Sequence, residues 1–486
     1  MVYPSDYENK TGFDRIRAQV RGKCTTDGGR ALLDGEGFSA SAGEIVHRLS
    51  LCSELQEILM LESGFPLQEY TDIGPVARKI EVAGTFLDIE DMIALRAGLG
   101  AVNEITVFLA AKEEGRYPVL RGLAQGVESF PEITGHIDTI LDRYGKIKDS
   151  ASPELYTIRR TIRDREGQVS KRLQAILSKA QKDGYADADA AVSIRDGRAV
   201  IPVSAANKRK INGFIHDESA TGKTFYIEPV EIVEINNELK ELEYAERREV
   251  VRILTAFTDR IRPDAPGIAR AGEYLACMDM IRAKARWAAE NECVKPVLSE
   301  EGTLWLRSAR HPLLRQTLAR EGKQVVPLDL KLDRGRRMLV ISGPNAGGKS
   351  VCLKTVGLLQ YMFQCGFPVP VLENSEFPVF DGIFIDIGDE QSIDNDLCTY
   401  SSHLLNMKHM LAGAGSGSLV LIDEFGSGTE PVIGGAIAEA ILERFVETGT
   451  YGVITTHYSN IKYFAGSHEG VENGAMMFDV QNIRPL

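Results

Sequence analysis

Apolar side chains recur at three- and four-residue spacing through most of the first 180 residues, as in Glu44 to Met60 (EIVHRLSLCSELQEILM), the period of a helix with one buried face. Between Tyr185 and Pro229 the period changes. AAVSIRDGRAVIPVSA offers two short alternating runs joined at Asp196-Gly197, and GFIHDESATGKTFYIEP offers two more around Ala220 to Gly222, which predicts paired strands. Helical spacing returns from Glu231 to about Ile261, where Ile232, Ile235, Leu239 and Leu242 share a face amid Glu, Lys and Arg. From about Leu304 onward, LWLRS, MLVIS, GIFIDI, SLVLID and YGVITTH alternate with helical stretches, the sequence form of a parallel sheet with helices on both faces. The pattern predicts a multidomain α + α/β chain: a helical part over 1–184, a small β insertion over 185–230, returning helix over 231–303 and an α/β domain over 304–486.

Composition narrows what such a chain can contact. With 56 Lys and Arg against 69 Asp and Glu, the formal charge is −13, which argues against nucleic-acid binding over the whole surface, because phosphate neutralisation needs clustered cations. Any such contact must be local. No run approaches the roughly 20 consecutive apolar residues of a membrane span, and MVYPSDYENKTGFDR lacks the basic-then-apolar form of a signal peptide, so the expectation is a cytoplasmic protein with no membrane partner. The seven cysteines are far apart and form no Cys-x-x-Cys pair, so they are read as free thiols rather than disulfides or a zinc site.

The chemistry is concentrated in the last domain. The apolar run Met338 to Ser342 leads into Gly343-Pro344-Asn345-Ala346-Gly347-Gly348-Lys349-Ser350 and then into a helical stretch, which is the G-x-x-x-x-G-K-[ST] string in the strand-to-helix context it requires. Glycines let backbone N–H groups turn inward on phosphates, the helix N-terminus adds its positive end, Lys349 neutralises the β- and γ-phosphates, and Ser350 can ligate Mg²⁺. ATP with Mg²⁺ is the ligand this predicts. The similar ATGKT at 220–224 has Asp217 where the first glycine belongs and is read as a turn. About 70 residues beyond Ser350, SLVLIDE ends an apolar strand in Asp423, placed to serve Mg²⁺, and Glu424, placed to polarise an attacking water. FGSGTEP and then YGVITTH follow, the latter ending in His457, a candidate γ-phosphate contact.

The strings GPNAGGKS, DEFGSGTEP and TTHY closely resemble the ATPase domain of the MutS family, a branch of the ABC-type ATPases. GFDRIR, SASPELYTIRRTI, IRDGRAVIPV, SATGKTFYIEP, RHPLL and IFIDIGDEQSI extend the resemblance, to the bacterial MutS-two branch, over nearly the whole chain. It implies a helical core and lever, a β clamp inserted between lever helices, and an ABC-type P-loop ATPase domain that homodimerises with each ATP between two subunits. It also implies that Asn345 touches the phosphates, that Gln391 lies on a coupling loop, and that Leu397 to His403 is the signature segment offered to the partner's ATP. Cys398 stands where the family usually has serine; a thiol is the weaker donor, which leaves Thr399 or Ser401 to substitute.

The local cationic candidates for nucleic acid are Lys208, Arg209, Lys210 and Lys223 in the clamp, with Arg159, Arg160, Arg163 and Arg165 on the preceding helix. By resemblance the target is branched or duplex DNA, restraining homologous recombination, with rRNA on a collided ribosome as the alternative. The Phe-x-Glu strings at Phe130 and Phe445 are assigned no mismatch-wedge role. No Smr nuclease module is visible before Leu486, so cleavage of DNA by this polypeptide is not expected.

Overall fold

The computed structural model describes residues 1–343, 348–388, 399–427, 430–476, 478–479 and 484–485, with backbone only at 399–402 and in the last two pairs. The chain forms two compact units, one of Met1–Asp72, Ala101–Val127 and Ala271–Leu486, the other of Ile73–Gly100 and Glu128–Arg270.

Val2–Tyr3 (β1) opens the first unit as an edge strand, followed by short helices that include Tyr7–Thr11 and Phe13–Arg21. In the second unit, β2 (Ser193–Arg195), β3 (Arg198–Ser204), β4 (Gly213–Glu218) and β5 (Thr224–Pro229) form an antiparallel sheet in the order β2-β3-β5-β4. The β2–β3 link is Asp196-Gly197 with φ of +47° and +72°, the left-handed pair that a two-residue hairpin turn requires. Helices Pro153–Lys182 and Val230–Ile261 flank this sheet in sequence. Val169, Leu173, Leu177 and Ala180 recur down one side of the first helix and bury against Ile201, Val203 and Ile227 of the sheet and Ile232 of the second helix. That amphipathic stripe, together with Ser152 capping the Leu155 N–H at 3.0 Å, explains why so polar a segment holds a 30-residue helix.

The first unit continues through β6 (Val297–Leu298), β7 (Leu304–Ala309), β8 (Leu328–Leu332), β9 (Arg336–Ser342), β10 (Glu376–Phe377), β11 (Gly382–Asp386), β12 (Ser418–Ile422), β13 (Tyr451–Thr455) and β14 (Gly470–Ala475). Six strands form a parallel sheet in the order β1-β11-β12-β13-β9-β14. Every residue of β11, β12 and β13 is buried, which is why they read as unbroken apolar runs. Helix Lys349–Gln364 covers one face: a Cβ on Gly357 would lie 2.9 Å from Leu421, so glycine permits the close approach. Phe384, Val420, Ile422, Val340 and Ile454 face the other way into a core shared with helices Thr399–Gly413, Pro431–Thr448 and Ser459–Ser467.

One expectation is corrected. LWLRS does not join the parallel sheet: β7 pairs antiparallel with β8 and β10 in a separate sheet ordered β6-β10-β7-β8, and its burial alternates along the strand because only one face is covered. Among the described residues one helix, Ile89–Ala110, with 22 residues and a mean hydropathy of 1.4, is long and apolar enough to cross a membrane by length and composition. Its buried positions Met92, Leu95, Leu99, Val102, Ile105 and Leu109 recur every three or four residues, and Arg96 pairs with Asp138 at 3.1 Å, so packing accounts for its apolarity.

Candidate functional site

The β9 strand ends at Ser342, and helix Lys349–Gln364 begins seven residues later. On either side of the turn, Gly343 has φ +140° and Gly348 φ +82°, conformations in which a side chain would be strained. Pro344, Asn345, Ala346 and Gly347 lie outside the described residues, as do Gln391 and Cys398; Thr399 and Ser401 are described only as backbone of the first turn of Thr399–Gly413. Lys349 is 2% exposed, and its Nζ donates to the Gly343 carbonyl at 2.7 Å and lies 3.2 Å from His457 Nε2. Burial draws its proton affinity down and the charges of Asp423 and Glu424 push it back up. A buried ammonium at a helix N-terminus, in the field of two carboxylates, is a seat that an anion would relieve. Ser350 follows it on the first turn, half-buried.

The acidic pair emerges from β12 in a tight turn. Asp423 is buried, its N–H donating to the Asp386 carbonyl at 2.9 Å. Its carboxylate accepts from Thr455 Oγ1 at 2.5 Å and from the Glu424 N–H at 3.2 Å, while that same N–H also reaches Thr455 Oγ1 at 2.8 Å. Glu424 has φ +48°, a left-handed conformation unusual for a residue with a side chain, which these contacts and the Phe425 N–H to Thr455 carbonyl bond hold in place. Thr455 and Thr456 are completely buried, and Thr456 Oγ1 donates to the Phe425 carbonyl at 3.1 Å, so the strand end that carries His457 also clamps the acidic turn. The motif reading missed both threonines; their signal was two hydroxyls where a buried strand otherwise carries apolar side chains. It also missed Asp386, which with His403, Asp423, Glu424 and Ser427 lines a narrow cleft.

Among the described residues Cys24, Cys52, Cys277, Cys293, Cys352 and Cys365 are free thiols; burial pushes Cys352, in the helix behind the turn, up to about 12, so it is a neutral packing residue. No cluster of three or more His, Cys, Asp or Glu placed to hold a metal occurs among the described residues. Mg²⁺ beside nucleotide phosphates takes only one or two protein ligands, which Ser350 and Asp423 can supply.

The cationic candidates fall into two groups. Lys208, Arg209 and Lys210 follow the end of β3, and Lys223 precedes β5 on the neighbouring turn, whose carbonyl accepts from the Ala205 N–H at 2.9 Å, so these four share one end of the sheet. Arg209, Lys210 and Lys223 are exposed; Lys208 Nζ lies 4.2 Å from the Phe225 ring centre. Arg159, Arg160 and Arg163 sit near the start of helix Pro153–Lys182, whereas the sheet packs on Val169 to Ala180, roughly 10–30 Å further along at 1.5 Å per residue. Arg159 is bound by Asp149 at 2.8 Å and Glu246 at 2.7 Å, Arg163 by Asp149 at 2.9 Å and Arg165 by Glu238 at 2.9 Å, while Arg160 is exposed.

A family model described as MutS domain V matches residues 339–484, the stretch that holds the two motif turns. Proteins named Endonuclease MutS2 from Geobacillus sp. (strain WCH70), Alkaliphilus oremlandii (strain OhILAs) and Thermomicrobium roseum are 35%, 36% and 37% identical over 475, 474 and 486 residues. Each alignment covers 97% of this chain and 60%, 59% and 60% of the relative, so the chain spans about 60% of the length of these proteins. With likeness running along the helical, clamp-like and α/β parts alike, the chain is similar along nearly its whole length to the MutS2 proteins of the MutS family.

Proposed function

We propose that this chain binds and hydrolyses ATP with Mg²⁺ and uses the cycle to grip nucleic acid as a homodimeric clamp. The observation that carries the reading is the buried Lys349 ammonium at the start of its helix, bonded to Gly343 and His457 and within the field of Asp423 and Glu424. In this reading Lys349, the Gly343–Gly348 backbone and Asn345 hold the phosphates, with His457 beside the γ-phosphate. Ser350 and Asp423 would hold Mg²⁺, which neutralises charge on the phosphates when bound. Glu424 takes the proton of the attacking water, its backbone held at the strand end by Thr455. Thr399 and Ser401 are the candidates to reach a partner subunit's nucleotide, with Cys398 as the family-divergent position and Gln391 as the coupling residue.

Lys208, Arg209, Lys210 and Lys223, grouped at one end of the β2–β5 sheet, are the proposed nucleic-acid contact, with branched or duplex DNA as target and suppression of homologous recombination as outcome, in the cytoplasm. Arg160 is a weaker candidate; Arg159 and Arg163 serve first as ion-pair partners.

The test is ATP turnover by the purified chain alone, with branched DNA and with collided ribosomes, beside its mass with and without ATP. Glu424→Gln is expected to retain ATP binding and to lower kcat by about a hundredfold or more. Unchanged turnover would remove Glu424 as the base, and stimulation by ribosomes alone would move the target from DNA to rRNA.

A further inference from the structure

Asp386 ends β11 level with Ile422 of β12, and its carbonyl is the acceptor for the Asp423 N–H, one residue before the proposed base. Its side chain is 5% exposed, and a carboxylate buried that far must be fully hydrogen-bonded. Both partners come from one face of helix Thr399–Gly413: His403 Nδ1 donates to Oδ2 at 2.5 Å and Asn406 Nδ2 to Oδ1 at 2.7 Å. Asn406 Oδ1 in turn accepts from Tyr3 Oη at 2.7 Å, which ties the network to the edge strand β1.

The Nδ1 bond leaves the other edge of the His403 ring, Nε2, without a described hydrogen bond, while His403 lines the cleft with Asp423 and Glu424. The bond to Asp386 raises the imidazole's affinity for a proton, burial opposes it, the charges of Asp386 and Glu424 add to the rise, and Lys10 opposes it. A ring fixed through Nδ1 by a buried carboxylate, with Nε2 left to act, is a general way of orienting a histidine at a reacting centre.

We infer that His403 is a positioning residue for Glu424, its ring fixed by Asp386 at Nδ1 and its Nε2 edge steadying the Glu424 carboxylate across the cleft. The inference rests on Glu424 being the base. Holding that carboxylate in one rotamer reduces misaligned encounters with water and acts on kcat rather than on nucleotide affinity.

Two amide substitutions separate this role from simple anchoring. Asparagine at 403 places its amide near the position of Nδ1 and glutamine near that of Nε2. His403→Asn is expected to keep the Asp386 bond, to lower kcat on the order of tenfold to a hundredfold, and to leave the ATP Kd within about twofold. His403→Gln is expected to recover part of the rate. If His403 only anchors the helix, the order reverses, with Asn near the unsubstituted rate and Gln low, and the inference is overturned. In a Glu424→Gln background His403→Asn is expected to cause no further loss; an equal loss there would show action independent of Glu424 and overturn it too. Should His403→Asn not fold, Asp386→Asn carries the same expectation of lowered kcat at unchanged Kd, and an unchanged kcat sinks the inference. Turnover by the unsubstituted chain that His403→Asn leaves intact removes the inference alone, whereas no turnover, or turnover indifferent to Glu424→Gln, removes the parent reading and the inference with it.

Discussion

Thr455 carries two contacts through one hydroxyl: it donates to Asp423 and accepts from the Glu424 N–H. Thr455→Val keeps the shape and removes both, leaving a buried carboxylate and a strained turn undersatisfied, at a cost of roughly 1–3 kcal/mol. The expected outcome is a lower thermal midpoint together with a reduced kcat, with Thr455→Ser near the unsubstituted chain; equal midpoints for Val and Thr would refute it. His311 makes a second residue-scale prediction. It caps helix Pro312–Arg320, and burial, helped by Arg15 and Lys354, lowers it from 6.5 to about 4. The unfolded chain therefore binds the proton first, so stability is full above about 6.5 and falls as pH drops toward about 4. At about 1.4 kcal/mol per unit the loss is up to roughly 3 kcal/mol. His311→Asn, which caps without titrating, is expected to flatten that acid limb in denaturant titrations at pH 7, 5.5 and 4.5.

At the scale of elements, the β2–β5 sheet is locked to its neighbouring helix by one buried carboxylate. Glu228 on β5 accepts from Arg198 of β3 at 2.8 Å, His216 of β4 at 2.6 Å and Asn236 of helix Val230–Ile261 at 2.7 Å. Burial opposes its ionisation, and these hydrogen bonds outweigh that and hold it below the usual carboxylate range. Glu228→Ala strands three donors, and a broken buried pair costs about 3–5 kcal/mol. Amide exchange across β2–β5 is expected to speed up while that of β9 and β11–β13 stays unchanged. The elements themselves were legible to different degrees. The hairpin at Asp196-Gly197 could be read because only a few residue types adopt its left-handed turn. LWLRS could not be assigned to its sheet, because a short apolar run says that a strand is buried but not which edge it joins.

For the whole molecule, the residues proposed for nucleotide and those proposed for nucleic acid fall in different units: Lys349, Asp423, Glu424 and His457 belong to one, and Lys208, Arg209, Lys210 and Lys223 to the other. Mg²⁺–ATP is accordingly expected to protect amides around 338–364 and 418–427 from exchange and to leave those of 193–229 unaffected at first binding. Replacing Lys208, Arg209 and Lys210 together is expected to weaken nucleic-acid binding and to reduce the slope of log K against log salt by about 2–3. Arg163→Ala, whose charge is already matched by Asp149, is expected to change that slope little.

The sequence by itself determined the chemistry that lies within short strings. Gly343 to Ser350 and Asp423-Glu424 are legible because a phosphate loop needs its residue types at consecutive positions between a strand and a helix. Lys349 begins the helix that periodicity places after the β9 strand. The tertiary structure alone decided what supports those strings. Val2–Tyr3 pairs with Ile383–Phe384 some 380 residues away, and a two-residue strand has no period to read. Asp386, His403 and Asn406 look like ordinary polar residues until a sheet end and a helix face bring the His403 and Asn406 nitrogens within 2.7 Å of the Asp386 carboxylate. Local pattern encodes what neighbouring residues must do together, whereas the partners of a buried carboxylate or hydroxyl are set by which distant elements share its layer, and that is fixed only when the chain packs.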